Sequence, residues 1–70
     1  MIPISMAKIG EINHIKKITG KDEVRRHLEN LGFTAGESVT VVSKLAGSMI
    51  LQIRDSRIAL DKNMSNRIMI

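Results

Sequence analysis

The sequence predicts a mainly β domain: a small, curled barrel or sheet of about five strands, with one short α-helix between the first and second. Three observations predict it. Several short runs alternate apolar and polar residues with a period of two. One stretch, Asp22 to Val42, reads as a helix that stops at a glycine, turns at a second glycine and becomes a strand. The 70 residues contain no cysteine and are 43% hydrophobic, so apolar packing must hold the fold without disulfides or thiolate metal ligands. A chain of this length allows one domain, residues 1–70, with one core too thin to enclose a large substrate cleft.

Pro3 and the mixed residues through Lys8 suggest an extended lead-in. Apolar residues then fall at Ile9, Ile12, Ile15 and Ile18, a period of three that would make a poor helix. Gly10, Gly20 and the β-branched isoleucines favour a strand from Glu11 to Ile18. Such a strand must absorb a change of side-chain parity, because Ile12 and Ile15 cannot both face inward without a bulge. Thr19 to Lys21 is a turn, and Asp22 is the natural N-cap of the helix. With Glu23 it puts negative charge at the positive end of the helix dipole.

Val24, Leu28 and Leu31 share one helical face. Gly32 stands where a helix needs a residue tolerating positive φ, and Phe33 is the apolar residue of a Schellman-type cap that folds back onto Leu28. Thr34, Ala35, Gly36 and Glu37 form a turn into the next strand. There Val39 and Val41 share one face and Val42 takes the other. Leu45 to Ser48 is a loop between strands. Met49, Leu51 and Ile53 then line one side, Asp55-Ser56 is a hairpin turn, and Arg57 to Asp61 returns with Ile58 and Leu60 inward. Lys62 to Asn66 is a helical or irregular turn, and Arg67 to Ile70 ends the chain as a strand with Ile68 and Ile70 inward. Pairing the first and last strands would close the barrel and protect their edges. Leu28, Gly32, Phe33 and Gly36 are thus the expected architectural residues.

The formal charge of +4 and the sequence pI of about 10 invite nucleic acid or an anionic membrane face as partners. Ordinary solubility is the competing account, and it fits better because the lysines and arginines are scattered with no long basic run. MIPISMAKIGEI has no basic segment followed by an apolar one, so no signal peptide is expected. No apolar run is long enough to span a bilayer, and the expected location is the cytoplasm.

Catalysis has little to stand on. There is no Gly-rich phosphate loop, no cysteine nucleophile and no tyrosine, and no motif joins any serine to a histidine and a carboxylate. No catalytic residue and no cofactor is therefore assigned. The candidate metal ligands are His14, His27, Glu11, Glu23 and Glu29. His27 and Glu23 stand one helical turn apart, but such a pair supplies two ligands where a stable site needs three or four, so no metal site is assigned. One aromatic residue, Phe33, argues against an aromatic groove for proline-rich peptides and against stacking platforms for single-stranded nucleic acid. Of the five methionines, Met49, Met64 and Met69 read as core filler, or as an adaptable lining for a partner groove.

The pieces Lys8 to Glu11 (KIGE), R-x-x-L-x-x-L-G-F-x-x-G-x-x-V-x-V from Arg25 to Val41, RIAL from Arg57 to Leu60, and R-I-x-I from Arg67 to Ile70 carry a resemblance. In order, spacing and total length the chain resembles the ferrous iron transport protein A (FeoA) family. Met64 departs from the small residue expected at its position. The resemblance implies an SH3-like barrel and a role beside the ferrous iron permease (FeoB), a membrane protein with a cytoplasmic GTPase domain. It extends to the C-terminal domain of iron-dependent repressors, whose DNA-binding domains have no counterpart here. The leading expectation is a non-enzymatic adaptor that binds and modulates the permease, meeting the membrane only through that partner. Its expected contact surface is the helix flank of Arg25, Arg26 and Glu29 together with Leu45 and Met49. A basic nucleic-acid-binding barrel is the second reading, and a regulatory module that self-associates through an exposed sheet edge is the third.

Overall fold

The computed structural model describes residues 1–70. Six strands and two helices follow a short 3₁₀ turn at Ile4–Met6. They are β1 (Ile12–His14), β2 (Lys17–Ile18), α1 (Asp22–Asn30), β3 (Ser38–Leu45), β4 (Ser48–Ile53), β5 (Ser56–Asp61), α2 (Lys62–Ser65) and β6 (Ile68–Met69). An antiparallel sheet in the order β1-β3-β4-β5 curls against a two-stranded β2-β6 sheet. Between them lie Leu28, Phe33, Val39, Val41, Leu51, Ile53 and Ile68, all buried.

The first expected strand is two strands belonging to different sheets. β1 pairs with β3 and β2 with β6, and the chain crosses between the sheets at Ile15 and Lys16. The parity conflict is resolved by this break, with no bulge. Ile12 is 68% exposed while Ile15 is 2% exposed. Three of the four backbone groups at the crossing are hydrogen-bonded: Ile15 N–H donates to Glu37 O at 2.9 Å, Gly36 N–H to Ile15 O at 2.7 Å, and Lys16 N–H to Met69 O at 2.8 Å. The first and last strands do close the structure. Ile2 and Ile70 exchange two further backbone bonds, at 3.0 and 2.8 Å, beside the Pro3–Met69 bridge.

The lead-in is not simply extended. Its 3₁₀ turn drops Ile4 and Ala7 into the core, fully or nearly fully buried. Residues three apart eclipse on a 3₁₀ turn, so both side chains leave the backbone on one side.

α1 ends as its sequence predicts. Gly32 adopts φ +106°, its N–H donates to Glu29 O at 3.0 Å, and Phe33 N–H reaches back to Leu28 O at 3.0 Å. These are the two bonds of a Schellman motif, and Leu28 and Phe33 are both fully buried beneath it. The start of α1 differs. Lys21 is the extended N-cap and makes no side-chain cap bond. Asp22 is already helical, so its carboxylate pairs with Arg25 one turn on, and with Glu23 it still sits at the positive end of the dipole.

One turn is shorter than the sequence suggests, and the next lies one residue earlier than Asp55-Ser56. Leu45 pairs with Ser48, leaving Ala46-Gly47 as the β3–β4 connection, and Ile53 pairs with Ser56, leaving Arg54-Asp55 as the next. Extending the β3–β4 ladder satisfies more backbone groups, and two-residue connections suit antiparallel hairpins. Arg54 takes φ 52° to close its turn, although it has a Cβ. In β3 the register slips between Val41 and Ser43, so Val42 is the extra, half-buried residue. Met49, Leu51, Ile53, Leu60 and Ile68 face inward as expected, with Ile58, Met64 and Ile70 packed at the edge of the core.

α2 is held by Asp61, whose carboxylate accepts from Met64 N–H at 2.7 Å. The one buried polar side chain, Ser65, donates to Asp61 O at 2.8 Å. No buried side-chain nitrogen or oxygen is left without a partner.

Candidate partner-binding site

Leu28 is the buried residue of α1, and most of the rest of the helix surface stays outward. Arg25, Arg26 and Glu29 are all exposed there. Arg25 is tied to Asp22, whereas Arg26 and Glu29 make no ion pair. The Gly32 cap fixes the angle at which this flank stands against the barrel. Gly36, at φ +93°, fixes the following turn through its bond to Ile15 O.

The tip of the β3–β4 hairpin forms the second surface. A shallow cavity of about 170 Å³ opens there, bordered by Ser5, Lys44, Leu45, Ser48, Met49 and Lys62. Lys44 Nζ donates to the carbonyl of Ser5 at 3.2 Å, which holds the ammonium over the opening. Lys62 approaches from the first turn of α2, and neither lysine has a carboxylate partner. Leu45 is 65% exposed, while Met49 is 5% exposed and reaches outside only as part of the cavity wall. The result is a cationic rim beside apolar side chains, chemistry that suits a segment carrying a carboxylate next to an aliphatic residue.

The structure therefore brings Leu45 and Met49 to one cavity, and no residue of α1 lines it. Sequence reasoning missed Ser5, Lys44 and Lys62. Lys44 adjoins Leu45 and could have been grouped with it, but Ser5 arrives from the far end of the chain through the 3₁₀ turn.

Elsewhere the electrostatics are sparse. Arg54 donates to Glu37 across the barrel wall, and this hydrogen bond holds the Glu37 carboxyl below its ordinary value of 4.5 and raises the Arg54 guanidinium above its own. His14 Nε2 lies 3.3 Å from Ser38 Oγ, its cross-strand neighbour, and His27 is exposed in the last turn of α1. No group of three or more His, Asp or Glu side chains is placed to hold a metal ion. No helix is long and apolar enough to cross a membrane.

The FeoA domain family model matches residues 2–70. A protein of Methanocaldococcus jannaschii, provisionally named Fe(2+) transport protein A, is 29% identical over 70 residues, covering 100% of this chain and 85% of the relative. The crystal structure of an iron uptake regulatory protein, FeoA, superposes with a TM-score of 0.87 at 25% identity, covering 96% of this chain and 89% of that one. The zinc complex of FeoA from Stenotrophomonas maltophilia, described as a prokaryotic SH3 domain protein, superposes with a TM-score of 0.86 at 24% identity, over 99% and 88% of the two chains. The two-sheet barrel described above is accordingly of the SH3-like type.

Proposed function

This chain belongs to the FeoA family, and from that premise we propose that it is an accessory protein of ferrous iron uptake that binds the cytoplasmic part of a FeoB-type GTPase permease and modulates transport. The observation that carries the reading is the family match over residues 2–70, nearly the whole chain. The reading places the protein in the cytoplasm, where the partner's GTPase domain lies. It assigns an action by contact, without turnover of a substrate. The filled interior supports this, because the buried side chains are apolar apart from Ser65.

Two surfaces suit the contact. The α1 flank presents Arg25, Arg26 and Glu29 as a charged face, and the hairpin cavity presents Leu45 and Met49 beneath the Lys44 and Lys62 ammonium groups. Exposed charges steer encounter and fix orientation, while a partly covered apolar contact supplies affinity.

Binding of this protein to the isolated GTPase domain and to the full permease, followed by titration calorimetry and co-purification, tests the reading. Saturable binding is expected, weakened when Arg25→Glu and Arg26→Glu are combined or when Leu45→Asp is introduced. A permease that ignores this protein in both forms would sink the adaptor reading. Binding that survives all three substitutions would move the contact to another surface.

A further inference from the structure

The outer edge of β5 is the longest unpaired strand edge in the molecule. β5 ends the four-stranded sheet, and its six residues pair with β4 without a register shift. Strand backbones alternate, so every second residue sends its N–H and C=O to the same side. Lys62 N–H donates to Gly47 O at 3.0 Å, which sets the phase. Residues two, four and six positions earlier, Leu60, Ile58 and Ser56, face β4 likewise, and Arg57, Ala59 and Asp61 turn their backbone groups outward. None of those three backbone N–H groups has a partner elsewhere in the fold. Arg57, Ala59 and Asp61 are also exposed at their side chains, while Ile58 and Leu60 turn toward the core.

Edges of this kind are normally blunted by charged side chains, proline, a bulge, short length or a covering element. β5 has six residues, no proline and no bulge, and its two exposed charges, Arg57 and Asp61, are of opposite sign, so they can attract a second copy of the edge; β1 has three residues and β2 and β6 have two each. We propose that β5 is a self-association edge, pairing antiparallel with β5 of a second copy across a two-fold axis at Ala59. This inference stands apart from the permease reading and needs no part of it.

Charge selects that register. Outward-facing residues must meet outward-facing residues, which leaves few ways for the edge to pair with itself. An axis at Arg57 sets the two guanidinium groups against each other, and one at Ile58 sets Arg57 opposite alanine. An axis at Ala59 sets Arg57 opposite the partner's Asp61, twice. Ala59 then exchanges two backbone hydrogen bonds with its symmetry mate, and each Asp61 N–H donates to the partner's Arg57 carbonyl, while Asp61 O stays with Ser65 at the start of α2. The groups needed are available. Arg57 uses Nε on Gln52 at 3.2 Å, which leaves both terminal nitrogens, and Asp61 uses Oδ1 as the cap of α2, which leaves Oδ2. The product is a continuous sheet of two four-stranded halves, and its isologous contact closes at two copies. A contact made by one short edge is small, so the dimer is weak and concentration-dependent.

Sedimentation between roughly 10 μM and 1 mM should show reversible monomer–dimer exchange, with amide shifts on dilution centred on Arg57, Ala59 and Asp61. Ala59→Pro removes an N–H that faces solvent in the monomer, a position where an edge strand tolerates proline, and should give a folded monomer throughout. Arg57→Asp and Asp61→Arg should each weaken self-association about tenfold, and mixing the two should restore it as a heterodimer, since the opposite charges then face each other. Wild-type protein that stays monomeric at the highest concentration would overturn the proposal. So would a dimer indifferent to Ala59→Pro, or folded charge variants that fail to recover on mixing.

Discussion

Gly32 joins helix to barrel through a backbone conformation, so replacing it separates conformational strain from steric clash. A Cβ built there would meet only Ile53 Cγ2, at 3.9 Å, an ordinary contact. Space is therefore not the obstacle; φ +106° is. A residue with a Cβ held in such a sparsely populated region costs roughly 1–3 kcal/mol. A domain of this length has roughly 4–10 kcal/mol in total, at about 0.05–0.15 kcal/mol per residue. Gly32→Ala should thus lower stability by about 2 kcal/mol, a fall in Tm of roughly 10 °C. Gly32→Val should cost more, because a β-branched side chain suits positive φ least. Gly32→Asn should cost less than alanine, because asparagine tolerates left-handed backbone better. Thermal and urea melts followed by circular dichroism read these differences. Melting temperatures for the alanine and valine variants within about 2 °C of wild type would refute the cap as the source of the joint's rigidity.

Other consequences follow from the same structure. Ile4→Ala should cost about 2–5 kcal/mol, because Ile4 is fully buried although it precedes every regular strand; a urea midpoint matching wild type would contradict that burial. The Glu37 carboxyl is depressed in the folded state, so its pair with Arg54 contributes stability above the ordinary carboxylate value of 4.5 and loses it as pH falls through the folded-state value. Arg54→Gln should therefore be less stable than wild type near neutral pH, with the difference disappearing in acid, and an NMR titration should find Glu37 moved up toward 4.5. Arg54→Gly also removes the pair but relieves φ 52°, so it should melt above Arg54→Gln; the reverse order would mean that the turn is unstrained.

Local chemistry made much of this protein legible in one dimension. The helix of Asp22 to Asn30, its Gly32 cap and the inward set Met49, Leu51 and Ile53 follow from periods, positive φ and alternation, which act over a few residues. Asp22 shows the limit of such reasoning. A capping residue and a first-turn acid look alike in sequence, and the side chain here bonds Arg25 instead. The same local rules marked Arg25, Arg26 and Glu29 as the exposed flank, because a buried Leu28 forces their direction.

Long-range pairing settled the rest. Whether Glu11 to Ile18 bulges or breaks depends on Thr40 and Met69, the residues waiting on two different sheets. Ile4 joins the core because the chain's two ends pair, a fact no window around Ile4 contains. The cavity is of the same kind: Ser5 and Lys62 reach it only when hairpin, 3₁₀ turn and α2 are assembled, so Leu45 and Met49 were visible in sequence and those two neighbours were not. Periodicity and turn chemistry were enough for the helix, its cap and the inward faces of the later strands, though not for the 3₁₀ turn or the burial of Ile4. Which strand each pairs with came from assembly, because backbone hydrogen bonds between strands carry no residue-specific signal and their partners are chosen by the closure of the whole barrel.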